Sequence, residues 1–246
     1  MDHCQRLSDI SYIEVQRFTS TINYLDLCYG FDGHTKIIGF PCGGVSLWAG
    51  SPGVGKTRLT LELCRRMNAK RYRLLYIQME ANLQQFRQWI GKTIASPDDF
   101  YVSSNNDVLV QVDLIYRLKP KIVFIDSLNM IRGHNSSSAL RVACDLYRKA
   151  ASETGTHIVL IGHLNKEGKV KGNNDIIYLV DIVCLVDHFK LDKKTVIKDN
   201  KILDGLFVLS MSKSRYGAVT YNGIVNYVLF RHCSNGVEAV TSNFAP

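Results

Sequence analysis

The stretch G-S-P-G-V-G-K-T, residues 50 to 57, decides the fold of this chain. Glycines at these spacings let successive backbone N–H groups converge on one anion, and a helix that follows adds the positive end of its dipole. The apolar run 45–49 predicts a buried strand before the loop, and 56–68 predicts an amphipathic helix after it. Strand, glycine-rich loop and helix in this order predict a site for the phosphates of a nucleoside triphosphate.

Individual positions of this loop have predicted tasks. We expect Lys56 to reach the β and γ phosphates, and Thr57 to offer its hydroxyl to the magnesium ion that accompanies them. A glycine-rich turn that binds nothing is the alternative. The predicted ligands are ATP and Mg²⁺, and the remaining nucleotide-binding positions are Gly50, Ser51, Pro52, Gly53, Val54, Gly55 and Arg58.

Bulk composition narrows the class of protein. A chain of 246 residues suits one large α/β domain. The net charge of +8 favours an acidic polymer as partner, although charge that serves only solubility is the alternative. The seven cysteines form no C-x-x-C pair, which argues against a zinc ribbon. No signal region opens the chain and no long apolar stretch occurs, so we expect a cytoplasmic protein without a membrane anchor.

From residue 45 onward, short apolar runs alternate with helical patterns, which predicts a mostly parallel sheet flanked by helices. The predicted strands are 45–49, 73–79, 100–103, 121–126, 157–162, 181–189 and 205–211. The predicted helices are 56–68, 83–95, 106–118 and 137–154. Turn signals after residue 181 predict C-terminal antiparallel hairpins. A weak helical pattern over 1–17 predicts an N-terminal helical extension, which leaves 18–246 as the α/β domain.

Two acids and a histidine lie where predicted strands end. Asp126 ends one strand, Glu80 follows another, and His163 follows a third. Carboxyl ends of parallel strands meet at one sheet edge, so these side chains should lie beside the phosphate loop. We expect Asp126 to hold Mg²⁺ through a water, and Glu80 to accept a proton from the water that attacks the γ phosphate. His163 is a candidate ligand sensor. The alternatives are a helix cap, an exposed acid and a structural histidine.

Two polar loops are predicted at the same edge. The segment 166–174 is basic and punctuated by glycines, and 132–138 is rich in serine. Flexible loops with cations suit the phosphates of a nucleic acid backbone, whereas a solvated turn is the alternative for each. The candidate DNA-binding residues are Arg132, Lys166, Lys169 and Lys171.

Widely spaced motifs resemble those of RecA-like ATPases, and within them the RadA (Sms) family of bacterial DNA-repair proteins. The similar segments are the threonine-bearing start 18–26, the strand ending in glutamate 76–80, the glycine-histidine and lysine-glutamate-glycine stretch 161–168, the pair Val180-Asp181, and 213–217. The last, K-S-R-Y-G, is similar to the K-N-R-F-G signature of the family, with Ser and Tyr at its second and fourth positions.

This resemblance implies a RecA-like P-loop fold and a DNA-dependent ATPase. It implies a homo-oligomeric ring, hexameric in the family, that couples ATP to single-stranded DNA in recombination and repair beside recombinase or replication proteins. Lys213 and Arg215 would then reach the γ phosphate bound by a neighbouring subunit. Family members normally carry an N-terminal four-cysteine zinc module and a C-terminal Lon-like domain, neither of which is expected in this chain. Such a short form would suit a compact genome such as that of a phage, acting in the host cytoplasm.

Two other functions stay open at this point. A replicative helicase core of the DnaB type shares the basic residues that act across subunits. A KaiC-like signalling ATPase would act on proteins instead of DNA.

Overall fold

The computed structural model describes residues 6–7, 14–30, 38–91, 94–132, 136–164, 176–189, 205–217, 219–221, 224–234 and 236–242. The helices are α1 (Asn23–Tyr29), α2 (Lys56–Ala69), α3 (Leu83–Ile90), α4 (Val108–Leu118), α5 (Ser137–Thr154) and α6 (Ile176–Leu179). Among these parts of the chain, no helix combines the length and the apolar character needed to cross a bilayer.

Thirteen strands are present in the described residues. They are β1 (Arg17–Phe18), β2 (Phe40–Pro41), β3 (Val45–Gly50), β4 (Leu74–Gln78), β5 (Phe100–Ser103), β6 (Ile122–Asp126), β7 (His157–His163), β8 (Ile182–His188), β9 (Leu206–Ser214), β10 (Thr220–Tyr221), β11 (Ile224–Val225), β12 (Tyr227–Cys233) and β13 (Gly236–Ser242).

Nine of these strands form one mixed sheet in the order β13-β12-β9-β8-β3-β7-β6-β4-β5. The six strands from β8 to β5 run parallel to one another, and β9, β12 and β13 add antiparallel pairs. The fold class predicted from the sequence, a mostly parallel sheet with C-terminal antiparallel hairpins, is therefore confirmed.

Both faces of the central strands are buried, which explains their nearly continuous apolar sequences. Successive residues of β3 point to opposite faces: Trp48 packs with α1, α2 and α3, whereas Leu47 packs with α4 and α5. Tyr76 and Leu75 of β4 divide in the same way. Two separate hydrophobic cores result, one between the sheet and each layer of helices.

Two sequence predictions need correction or fall outside the description, and some elements were not predicted. The helix predicted over 83–95 ends at Ile90, because Gly91 follows with φ +73, a left-handed conformation that glycine adopts readily and that stops a helix. Helix α1 and the strand pair β1–β2 were not predicted. The N-terminal helical extension over 1–17 lies largely outside the described residues, and its last residue, Arg17, begins β1.

Candidate active site

The predicted site residues follow the carboxyl ends of four neighbouring parallel strands. The phosphate loop leaves β3, Glu80 follows β4, Asp126 is the last residue of β6, and His163 is the last of β7. Because β3 lies next to β7 and β6 lies between β7 and β4, these groups meet at one edge. This carboxyl edge is where open α/β sheets bind their ligands.

The phosphate loop packs closely on the C-terminal strands. Gly55 has φ +113, and a Cβ atom built on it would lie 2.5 Å from Cε1 of His232 in β12. The His232 ring in turn stacks on Phe207 of β9, with ring centroids 4.7 Å apart. Both the backbone conformation and the histidine beneath it therefore require glycine at this position. The sequence pattern gave no signal for His232, because its contact depends on strands far along the chain.

Lys56 lies at the start of α2 with only 4% of its surface exposed. Its Nζ donates hydrogen bonds to the backbone oxygens of Gly50, at 2.7 Å, and Ser51, at 2.9 Å. Burial lowers the pKa of Lys56 to about 8, although the nearby carboxylates of Asp126 and Glu80 oppose this shift. Phosphate oxygens in the loop would favour the charged form further, so the ammonium is positioned to gain from an anionic ligand.

A buried hydrogen-bond cluster surrounds Asp126. Its Oδ2 accepts from the hydroxyls of Thr57 and Tyr76, each at 2.8 Å. Burial raises the pKa of Asp126, and the two hydroxyl donors work against that shift. Hydroxyl and carboxylate oxygens are the hard ligands that Mg²⁺ takes, together with waters. Thr57 and Asp126 therefore fit the predicted metal-binding pair, with Tyr76 as a neighbour that sequence reasoning missed.

Glu80 is held by two further side chains. Its Oε1 accepts a hydrogen bond from Ser127 Oγ at 2.5 Å and lies 2.9 Å from His163 Nε2. The hydrogen bond with His163 lowers the pKa of Glu80, burial opposes this, and the bond from Ser127 adds to the lowering. Glu80 is therefore ionised at neutral pH, which is the state needed in a group that accepts a proton.

His163 is fixed between Glu80 and the neighbouring chain segment. Its backbone N–H donates to Asn129 Oδ1 at 3.2 Å. Its ring atom Nδ1 is buried and has no hydrogen-bond partner among the described residues. The ring thus links the Glu80 carboxylate to the end of β7, and its role as a ligand sensor stays a prediction.

An open cavity of about 520 Å³ lies beside this cluster. Thr57, Arg58 and Glu80 line one side of it. Ser234, which follows β12, and Gly236, the first residue of β13, line another. Glu80 and Thr57 of the phosphate loop therefore face space that a ligand can enter, and the C-terminal strands contribute a wall that the sequence did not indicate.

Lys213 and Arg215 lie at the opposite, amino edge of the sheet. In the strand register Lys213 pairs with Val183, at the beginning of β8, whereas Gly50 pairs with Val186 further along that strand. Lys213 Nζ donates to carbonyl oxygens at the end of α6, and Arg215 Nη1 forms an ion pair with Asp181 at 2.9 Å. The structure therefore separates this pair from the phosphate loop of the same chain.

Of the four predicted DNA-binding residues, only Arg132 lies in the described part of the chain. Arg132 is exposed, and its Nη1 lies 3.5 Å from Asp107 Oδ2. Its backbone N–H bonds to the carbonyl of Asn106, in the segment after β5, which places it on the carboxyl side of the sheet. The other three, Lys166, Lys169 and Lys171, lie outside the described residues.

A family model described as an AAA domain matches residues 37–169, which is more than half of the chain. The match contains the phosphate loop, Glu80, Asp126 and His163. The chain belongs to this AAA domain family. Its fold is that of RecA-like ATPases, as the motifs predicted.

Curated relatives show which proteins this chain is similar to over most of its length. The DNA repair protein RadA of Mycolicibacterium smegmatis is 29% identical over 213 residues, which cover 82% of this chain and 42% of that protein. RadA of Escherichia coli K12 is 25% identical over 227 residues, 89% of this chain and 45% of that protein. The chain thus spans less than half the length of these relatives.

A solved structure supports the fold independently. The crystal structure of a KaiC-like protein from Pyrococcus horikoshii superimposes with a TM-score of 0.65 over 93% of this chain and 100% of that chain. The two sequences are 19% identical, so this likeness shows a shared fold.

Proposed function

We propose that this chain is an ATP-dependent motor that binds single-stranded DNA and acts in recombination and repair, as a helicase or branch-migration ATPase of the RadA type. The observation that carries the proposal is the convergence of Lys56, Thr57, Asp126 and Glu80 at one sheet edge in a chain whose curated relatives are named DNA repair protein RadA. A homo-oligomeric ring, a hexamer, is the proposed assembly.

The proposed chemistry is hydrolysis of the bond between the β and γ phosphates of ATP. Lys56 and the loop N–H groups bind the phosphates, and Thr57 with Asp126 would hold Mg²⁺, which neutralises phosphate charge when bound. Glu80 takes a proton from the attacking water while the bond to the γ phosphorus forms and the bond to the ADP oxygen breaks. Ser127 and His163 orient the Glu80 carboxylate through their hydrogen bonds.

Replacing Glu80 by Gln should separate binding from catalysis. Gln keeps the size of the side chain and an oxygen for Ser127, but it cannot take a proton. We expect ATP to bind with near-normal affinity while the hydrolysis rate falls by about 10²-fold or more, the usual scale for a general base. Fluorescent-nucleotide titration and a phosphate-release assay measure the two quantities.

The matched control is Glu153→Gln, the same chemical change at a surface acid that bonds Tyr116. It should leave both quantities unchanged. If nucleotide affinity and hydrolysis fall together in the Glu80 variant, Glu80 has a structural role and the general-base assignment is wrong.

The basic segment 166–174 provides a test of the proposed DNA binding. Replacing Lys166, Lys169 and Lys171 together by Ala should weaken binding of single-stranded DNA with little dependence on its sequence, because cations on such a loop neutralise backbone phosphates. The slope of log affinity against log salt should become shallower by about 0.7 for each phosphate that the variant no longer neutralises. Fluorescence anisotropy over a salt series measures this slope.

A control variant removes three exposed cations from helices: Arg87, Arg117 and Lys149. It makes the same change in net charge and should keep the wild-type slope. Equal slopes in the loop variant and the wild type would place the DNA elsewhere on the protein.

A further inference from the structure

A second cavity, of about 440 Å³, lies at the amino edge of the sheet, on the side opposite the phosphate loop. It forms where α2, α4 and α5 end and where β4 and β6 begin. Four cations line it: Arg71, Arg73, Lys119 and Lys121. Asp99 is the one acidic residue among its described lining residues. The positive charge of this cavity therefore exceeds what its own carboxylate can balance.

None of the four cations forms an ion pair with a carboxylate in the described parts of the chain. Arg73 donates to the Leu118 carbonyl at 2.9 Å, and Lys121 Nζ lies 4.8 Å from the centre of the Phe18 ring. Two of the four thus have uncharged partners that hold them beside the cavity.

Arg71 and Lys119 have left-handed backbone conformations, which favour glycine or asparagine. Arg71 has φ +61 directly after the last turn of α2, and Lys119 has φ +44 at the end of α4. Their N–H groups close the helix ends on Asn68 and Ile115. Glycine or asparagine is the usual choice at such left-handed helix ends. Long cationic side chains at both of these positions are therefore not explained by local conformation.

The simpler explanation is that these cations complement the negative ends of three helices. It accounts for Arg73, which bonds a terminal carbonyl of α4. It does not account for the side chains of Arg71 and Lys119, which donate to no group within the described residues. Both are exposed and border the same concave surface.

We infer that this amino-edge cavity binds phosphate oxyanions. Guanidinium and ammonium groups that converge on a concave surface are suited to this ligand, since charge-assisted hydrogen bonds to phosphate are among the strongest in proteins. The phosphates belong either to a nucleic acid backbone or to a free phosphate compound. Binding of a nucleic acid backbone rests on the proposed function, whereas binding of a free phosphate compound does not. The cavity is separate from the nucleotide site, because the two lie at opposite edges of the sheet.

The test uses two double variants of the full chain. Arg71→Gln with Lys119→Gln removes the charge of the two exposed cations that form no side-chain hydrogen bond in the described residues, and it leaves a shorter polar side chain at each position. Arg87→Gln with Lys149→Gln removes the same charge from helix surfaces outside the cavity. Binding of single-stranded DNA is measured over a salt series. Binding of inorganic pyrophosphate is measured by calorimetry on chains that also carry Lys56→Ala, so that the phosphate loop contributes little.

If the phosphates belong to a nucleic acid, the slope of log affinity against log salt becomes shallower by about 1.4 in the cavity variant and stays unchanged in the control. If the source is a free phosphate compound, the slope stays unchanged while pyrophosphate binding is lost in the cavity variant alone. Cavity and control variants that behave alike in both measurements would overturn the inference, as would a parent chain that binds neither ligand.

The outcomes also separate this inference from the proposed function. A chain that binds no DNA but loses pyrophosphate binding in the cavity variant contradicts the motor and keeps the cavity site. Thermal unfolding checks that each variant is folded. Lys121→Gln is a second variant that leaves both left-handed positions intact, and it should weaken the same binding.

Discussion

Replacing Lys56 by Ala is expected to reduce ATP turnover to background, a loss of roughly 10³-fold. Lys56 is 4% exposed, and its ammonium lies within hydrogen-bond distance of the Gly50 and Ser51 carbonyls, so it is held where the phosphates would enter. A fixed positive charge at this point stabilises the negative charge that develops on the transferred phosphoryl group. Steady-state phosphate release measures the effect.

A control separates lost catalysis from lost structure. Lys149→Ala removes an exposed lysine from α5 and should leave turnover unchanged. Thermal unfolding of the Lys56 variant should show a folded protein, since its two loop carbonyls become accessible to water. Turnover close to that of the wild type in a folded Lys56→Ala protein would contradict the assignment of the phosphate loop.

The double variant Lys213→Ala with Arg215→Ala is expected to lose about 10³-fold in ATP turnover, the scale of a missing arginine finger. In the structure these cations lie at the amino edge, bound to the end of α6 and to Asp181. They therefore lie away from the phosphate loop of the same chain. In the proposed head-to-tail ring, they would reach the γ phosphate bound by a neighbouring subunit.

Mixing experiments test this trans arrangement. The double variant keeps an intact phosphate loop, and the Lys56→Ala variant keeps intact basic residues. Equal mixing should leave about a quarter of interfaces with both parts intact, because a ring pairs each loop with the next subunit's basic residues. Part of the activity should then return. Mixed rings that demonstrably exchange subunits without recovery would assign Lys213 and Arg215 to DNA binding or to structure.

The parts of the site that sequence reasoning found are those with local signals. The phosphate loop is contiguous, and Asp126 and Glu80 both follow apolar runs that end at the same edge of a parallel sheet. Once the strand pattern is recognised, the position of these acids follows from topology. This explains why the fold and the edge that holds the candidate site could be predicted from one sequence.

The contacts that were missed depend on packing between distant segments. Tyr76 reaches Asp126 because β4 lies beside β6, and His232 reaches Gly55 because β12 folds back over the sheet. Neither residue has a neighbour in the sequence that marks it. Gly91 is a local stop signal, but the helical pattern of the sequence continues to residue 95, so the predicted helix extended past the observed end of α3 at Ile90. Likewise, Lys213 can be placed at the amino edge only when the antiparallel register of β9 is known.

The rate of ATP hydrolysis with and without single-stranded DNA tests the central claim most directly. The proposed motor predicts that saturating single-stranded DNA stimulates turnover several-fold in the wild type, and that the Lys56→Ala protein stays at background with or without it. Wild-type protein that hydrolyses ATP at one rate in both conditions would contradict the DNA motor and favour an ATPase that acts on proteins.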